Sequence, residues 1–134
     1  MQLTSILLAD AVQAIGGKLY MLGAAWNVLN VAQFPTTHLI GLGLVIDLGW
    51  NETNERHRMQ IHVEDADGNQ FAEPRVDAEL EAGRPPGLAP GSDIRVALAL
   101  NVPVELTKPG QYSFVLTRGD EELGRARFQA VPKG

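Results

Sequence analysis

The sequence contains no cysteine. This absence excludes disulfide bonds, thiolate nucleophiles and zinc sites built from cysteine, and it favours a cytoplasmic location. We expect no signal peptide, because the apolar residues 1–17 have no early Lys or Arg and are interrupted by Asp10. The same stretch is far too short for a membrane span.

Positive charge is scarce. The 134 residues include 16 Asp and Glu but only 11 Lys and Arg, which gives a formal net charge of -5 at pH 7, and no run of basic residues occurs. An acidic surface without a basic patch attracts neither nucleic acid nor an anionic membrane. We therefore expect neither of them as a partner.

Charge of either sign is nearly absent from the first third of the chain. Residues 1–50 contain only Asp10, Lys18 and Asp47, and every other charged residue lies in residues 51–134. This distribution fits two arrangements. The first third either forms the core or carries an apolar surface that another protein or a second copy covers.

Residues 56–71 show the clearest structural pattern in the chain. Met59, Ile61 and Val63 alternate with polar residues, which predicts a strand with one buried face. The segment Asp65–Asn69 follows with the residues of a tight turn, and Phe71 begins the return strand. We expect a β-hairpin here.

Similar strand patterns and turn signals recur about every ten residues. The segment Ser5–Ile15 also fits an amphipathic helix of three turns, but the Gly16-Gly17 pair that follows favours a hairpin. The sequence thus predicts a single all-β sandwich of seven to eight strands over residues 1–134. Besides the hairpin above, the predicted strands are Leu3–Gln13, Lys18–Val31, His38–Leu48, Phe71–Glu81, Asp93–Leu106, Tyr112–Leu116 and Arg125–Val131.

Glycine and proline positions refine these strands. Gly23 indicates a bulge or close packing, and Gly41 and Gly43 leave room for a large side chain from a neighbour. Pro103 is expected to interrupt its strand, since proline cannot donate to the ladder. The charged face of Phe71–Glu81 suits an edge strand.

The order of these segments resembles that of a known protein family. The blocks GKLY…GAAW, DADG and GRPPG are the most specific parts of the similarity, which extends over nearly the whole chain. The chain resembles small bacterial proteins of unknown function, common in actinobacteria. The resemblance implies an immunoglobulin-like β-sandwich and a strand at Leu3–Gln13, and it implies no catalytic residue.

A metal site is the first functional candidate. Asp65, Asp67 and Asn69 place three oxygen-bearing side chains at alternate positions, as in part of a calcium loop. Val76 stands where an EF-hand has its bidentate Glu, so a turn stabilised by its own Asp and Asn side chains is the stronger interpretation. We predict no metal and no cofactor.

No catalytic motif is present. None of the three serines lies in a G-x-S-x-G elbow, and no phosphate-binding glycine motif follows a strand. An enzyme would require distant strands to bring His38, His57 or His62 together with carboxylates. We therefore predict that the chain is not an enzyme.

Aromatic residues give the best candidates for partner contacts. Trp50, Trp26 and Tyr20 lie in or beside the uncharged first third. We predict a non-enzymatic interaction or structural module that self-associates or binds a protein partner. The alternative is binding of a small ligand or divalent metal by loops at one end of the sandwich, around Asp65–Asn69 and Gly83–Gly91.

Overall fold

The computed structural model describes the backbone of residues 1–134 and the side chains of residues 1–71 and 75–134. Within this range the chain is built from strands, so the all-β prediction is confirmed. A short 3-10 helix, Trp50–Glu52, lies between the fourth and fifth strands. In chain order the strands are β1 (Gln2–Ile15), β2 (Lys18–Ala24), β3 (Val28–Val31), β4 (Thr36–Leu48), β5 (His57–Asp65), β6 (Gln70–Leu80), β7 (Ile94–Leu106), β8 (Gly110–Arg118) and β9 (Glu121–Pro132).

The strands form two sheets. The four-stranded sheet has the order β2-β1-β4-β7 and is antiparallel throughout. The five-stranded sheet has the order β3-β9-β8-β5-β6, in which only the β3–β9 pair is parallel. The two sheets enclose a shared hydrophobic core, which is the sandwich arrangement that the strand pattern predicted.

Alternation along the strands fills this core. Leu42, Leu44 and Ile46 of β4 have no exposed surface, and Phe114 and Leu116 of β8 are equally buried. Full burial of one such side chain stabilises the fold by about 1.5–3 kcal/mol. One face of β4 therefore lies in the core.

One predicted strand is divided in the structure. Lys18–Val31 was expected to be continuous, but it breaks into β2 and β3, which belong to different sheets. Ala25 adopts φ 69 at the break, a left-handed conformation that stops an extended chain. The division produces nine strands in the described backbone instead of the seven to eight expected.

Two further predictions concern strand edges. Pro103 does not interrupt its strand, because β7 runs from Ile94 to Leu106 at the edge of the four-stranded sheet, where a missing donor is tolerated. The charged strand β6 does lie at an edge of the five-stranded sheet, as predicted.

The hairpin of β1 and β2 bends back over the four-stranded sheet. The first half of β1 pairs with β4, whereas its second half pairs only with β2 through a turn at Gly16 and Gly17, both with positive φ. A Cβ atom on Gly43 would lie 2.6 Å from the Met21 Cε atom, and one on Gly41 would lie 3.1 Å from Val12. The room that the two glycines were expected to leave is thus occupied by the hairpin.

Candidate functional site

The outward side of this hairpin is apolar and exposed. Leu19 and Met21 of β2 face the sheet, so the residues between and beyond them point to solvent. Tyr20 is 54% exposed and Leu22 is 73% exposed. We call the residues on this outward side the hairpin face: Ala11, Gln13, Ile15, Lys18, Tyr20 and Leu22.

An open hollow of about 530 Å³ adjoins the hairpin face and is lined by residues of that face together with Val12, Met21 and Asn101. Tyr20 lies across from Gln13 and Leu22 across from Ala11, so the two large side chains flank small or polar neighbours. The Asn101 side-chain amide of β7 donates a 3.4 Å hydrogen bond to the Val12 carbonyl below. A concave apolar surface without charge can take apolar side chains from another protein.

The uncharged first third contains two segments of different character. Strand β4 supplies the core, whereas the hairpin of β1 and β2 supplies exposed apolar surface. Leu7 and Leu39, on the same side of the four-stranded sheet, are 41% and 58% exposed. The composition alone did not separate these two segments.

The three predicted partner residues lie apart from one another. Tyr20 is on the hairpin face, whereas Trp50 is half-buried beneath the Arg84 guanidinium, which lies 4.1 Å from its ring centre. Arg84 also donates a 2.7 Å hydrogen bond to the Trp50 carbonyl, which fixes the loop. Trp26 is half-buried against Phe128, with ring centres 6.1 Å apart. The partner-binding roles of all three residues stay predictions.

Trp26 carries one unusual group. Its indole Nε1 is buried and has no hydrogen-bond partner among the described residues. A buried N–H group without an acceptor reduces stability, since it has lost its hydrogen bond to water. The residue follows the sheet-to-sheet break at Ala25, which places this group where the chain crosses between the layers.

The outer face of the five-stranded sheet has the opposite character. The two-residue period of β5 places His62 and Glu64 together on this face, and β9 places Arg125 beside them. The His62 Nε2 atom lies 2.8 Å from a Glu64 oxygen, and Arg125 lies 3.5 Å from the other oxygen. A hydrogen bond from Arg125 lowers the pKa of Glu122 below its ordinary value. We call His62, Glu64, Ser113, Arg125 and Arg127 the polar face.

The side chains of this network contact one another and leave little of His62 accessible to a substrate. The His62 side chain is only 6% exposed, so a substrate would reach its imidazole only by displacing neighbours. His57 is on the opposite face of β5, and its Nε2 lies 2.7 Å from the Glu52 carbonyl oxygen. The prediction that the chain is not an enzyme stays a prediction.

The Asp65–Asn69 segment forms a turn in which both Asp65 side-chain oxygens accept hydrogen bonds. One Asp65 oxygen accepts hydrogen bonds from the backbone N–H groups of Asp67 and Asn69, at 3.0 and 2.9 Å. These hydrogen bonds, the one from Asn69 above all, lower the pKa of Asp65. Within residues 1–71 and 75–134, no three His, Asp or Glu side chains are grouped as a metal site would require.

The two loops of the alternative ligand site lie at opposite ends of the sandwich. Asp65 and Asp67 line a hollow of about 240 Å³ together with the turn at Lys108. Gly83 instead follows the opposite end of β6, where Arg84 bonds to Thr53 and Trp50. The expectation that these loops share one end is therefore wrong, because each end of the β5–β6 hairpin leads to only one of them.

Comparison of the sequence with known families assigns the chain to one family. The sequence profile described as a family of unknown function (DUF6941) matches residues 4–131, so the chain belongs to this family. No curated protein matches it. Among the described residues, no helix has the length and apolar character needed to cross a bilayer.

Proposed function

We propose that this protein is a non-enzymatic interaction module that associates, with a second copy or with another protein, through the hairpin face. One observation carries the proposal. Tyr20 and Leu22 are more than half exposed on an ordered strand that is anchored to the sheet by Met21 and Val12. Large apolar side chains held rigidly in solvent are typical of interfaces, where ordering costs little entropy on binding.

The absence of charge supports the same proposal. The only charged residues of the hairpin are Asp10 and Lys18, near opposite ends of β2. Charged residues are depleted from the buried centre of interfaces, and tyrosine is enriched there. Removing Leu22 from water would contribute about 1.5–3 kcal/mol to association. Tyr20 adds a rigid ring with a hydroxyl that can bond to a partner.

Light scattering after size exclusion, over a range of protein concentration, tests the self-associating form. We expect the native chain to exceed the monomer mass and Leu22→Glu to remain monomeric, because a carboxylate there would be buried without a partner. Leu88→Glu is the matched control, since Leu88 is 37% exposed in the connection after β6. Equal monomer masses for all three proteins at every concentration would contradict self-association.

We also propose that the sandwich is of the immunoglobulin-like type. Two observations support it: β3 runs parallel to β9 at one edge, and five of the eight connections between consecutive strands cross from one sheet to the other. The Tyr112 hydroxyl donates a 2.6 Å hydrogen bond to the Lys108 carbonyl, which is the geometry of a tyrosine corner. An experimental structure with β3 paired elsewhere, or without this hydrogen bond, would contradict the assignment. The bacterial origin and cytoplasmic location stay predictions.

Ligand binding at the Asp65 end is the second proposal, with weaker support. The hollow of about 240 Å³ beside Tyr112 is smaller than most ligand pockets, which measure about 300–1,000 Å³. A thermal-shift screen of divalent ions and small metabolites tests it. A rise in melting temperature that Asp67→Asn abolishes would support binding at this end, and no rise with any compound would remove the proposal.

A further inference from the structure

Arg127 differs from every other arginine in the protein. The chain has eight arginines, and seven of them form hydrogen bonds or ion pairs with the described residues. Arg127 forms none with residues 1–71 or 75–134, although the protein has more acidic than basic residues. A guanidinium group with five N–H donors thus stays available for a ligand.

The surroundings of Arg127 form a hollow on the polar face. Cross-strand pairing aligns Glu64, Ser113 and Arg127 in one row across β5, β8 and β9. Ser113 is small and 6% exposed, so it forms the base of a depression between two long side chains. The depression measures about 190 Å³ and its rim is completed by Gln111 and the turn at Gly68.

The acidic side chains that line the hollow, Glu64 and Asp65, already have hydrogen-bond or ion-pair partners. One Glu64 oxygen lies beside the His62 imidazole and the other beside Arg125. Both Asp65 oxygens accept hydrogen bonds from Asp67 or Asn69 within the turn. The Ser113 hydroxyl and the Gln111 amide make no hydrogen bond with the described side chains. The free groups that meet in the hollow are therefore mainly donors.

We propose that this hollow binds a single carboxylate group, held by the Arg127 guanidinium, the Ser113 hydroxyl and the Gln111 amide. The planar fork of arginine matches the two oxygens of a carboxylate. A phosphate dianion fits less well, because Glu64 and Asp65 line the same hollow and repel a second negative charge more strongly. The site is separate from the hairpin face and does not depend on association there.

The carboxylate has two possible sources, a free small carboxylic acid or the C-terminus of another protein chain. The hollow has room for the carboxylate and a few further atoms of the ligand. The rest of a larger ligand would therefore contact residues outside the hollow. A contact of this size gives a dissociation constant on the order of 1 mM. Nuclear magnetic resonance titration detects binding of this strength.

The experiment titrates the full chain with propionate, a short peptide with a free C-terminus and the same peptide with an amidated C-terminus. Ionic strength is held constant with chloride, and inorganic phosphate is titrated separately. We expect propionate or the free peptide to shift the amide resonances of residues 111–113 and 125–127. Arg127→Gln should weaken binding at least about tenfold, since it removes the charge-assisted hydrogen bonds.

Arg95→Gln serves as the matched control, because Arg95 is paired with Asp47 on the other sheet. This variant should bind as the native chain does. A response to the free but not the amidated peptide, without a response to propionate, would assign the carboxylate to a chain terminus. The proposal is overturned if no carboxylate shifts these resonances, if Arg127→Gln binds normally, or if phosphate binds more tightly than propionate.

Discussion

The hairpin face and the polar face lie on opposite sides of one sandwich and are built by the same strand geometry. On both faces every second residue points to solvent. On the polar face, His62, Glu64 and Arg125 contact one another, and charge is neutralised within the network. On the hairpin face, Tyr20 and Leu22 contact little of their own chain and are exposed instead.

This difference is the basis of the proposal that the hairpin face binds a partner. Polar side chains that bond to each other lose little when they face water, so most of the polar face needs no partner. Exposed Leu and Tyr side chains on an anchored strand gain free energy only when something covers them. The contrast supports the proposed association through the hairpin face, and on the other side it leaves Arg127 without a partner among residues 1–71 and 75–134.

The largest expected effect concerns the anchoring of the hairpin. Gly41→Val should destabilise the fold by about 1–3 kcal/mol, because overpacking there meets the Ala9 carbonyl and Val12, each 3.1 Å from the new Cβ atom. Urea denaturation measures the change. Gly43→Val is the control and should cost less, since its nearest neighbour is the flexible end of Met21. Equal losses of stability in the two variants would show that the hairpin does not pack closely against Gly41.

The polar face should respond to the loss of its shared carboxylate. Glu64→Ala should cost about 1–3 kcal/mol, because the buried His62 loses its partner and Arg125 keeps only its pairing with Glu122. Chemical denaturation again provides the measurement. Glu79→Ala removes an exposed ion pair with Arg58 and should change stability by less than about 1 kcal/mol. A similar cost for both variants would contradict the network.

Acidification should reduce the free energy of unfolding by less than Glu64→Ala does. Arg125 holds the pKa of Glu122 below its ordinary value of 4.5, so folding favours the ionised form. Its contribution is fully present above about pH 4.5 and is lost as the pH falls through the lowered pKa. The Glu122 side chain is 44% exposed, which limits the effect to less than about 1 kcal/mol. Glu122→Gln should therefore lose less stability than the native chain between neutral and acidic pH, and an identical loss would contradict the pairing.

The smallest expected effect belongs to the hairpin face itself. Leu22→Ser should change the stability of the monomer by no more than about 0.5 kcal/mol, because the side chain is 73% exposed. Thermal unfolding at low protein concentration measures it. A larger loss would mean that Leu22 packs within its own chain, which would remove the reason to expect a partner there.

Strand content could be predicted from the sequence, whereas the position of the hairpin could not. Alternation identified β4 and the β5–β6 hairpin, since a half-buried strand repeats every two residues. The break after β2 depends on a left-handed Ala25, and alanine gives no local signal for that conformation. Gly41 and Gly43 indicated a close neighbour, but only tertiary structure identifies it as the hairpin.

The candidate sites show the same limit. Their residues lie on different strands, so their proximity in the fold cannot be predicted from their positions in the sequence. The period of β5 placed His62 and Glu64 on one face, but the register of β8 and β9 decides that Ser113, Arg125 and Arg127 join them. Tyr20 was identified from its type, and Leu22 was missed because an apolar residue in a strand is usually buried.

Nuclear magnetic resonance spectra recorded during dilution of the native chain test the central claim most directly. We predict that resonances of Ala11, Gln13, Ile15, Tyr20 and Leu22 shift with protein concentration, while those of His62, Glu64 and Arg125 stay constant. Spectra that do not change with concentration, or changes confined to the polar face, would contradict association through the hairpin face.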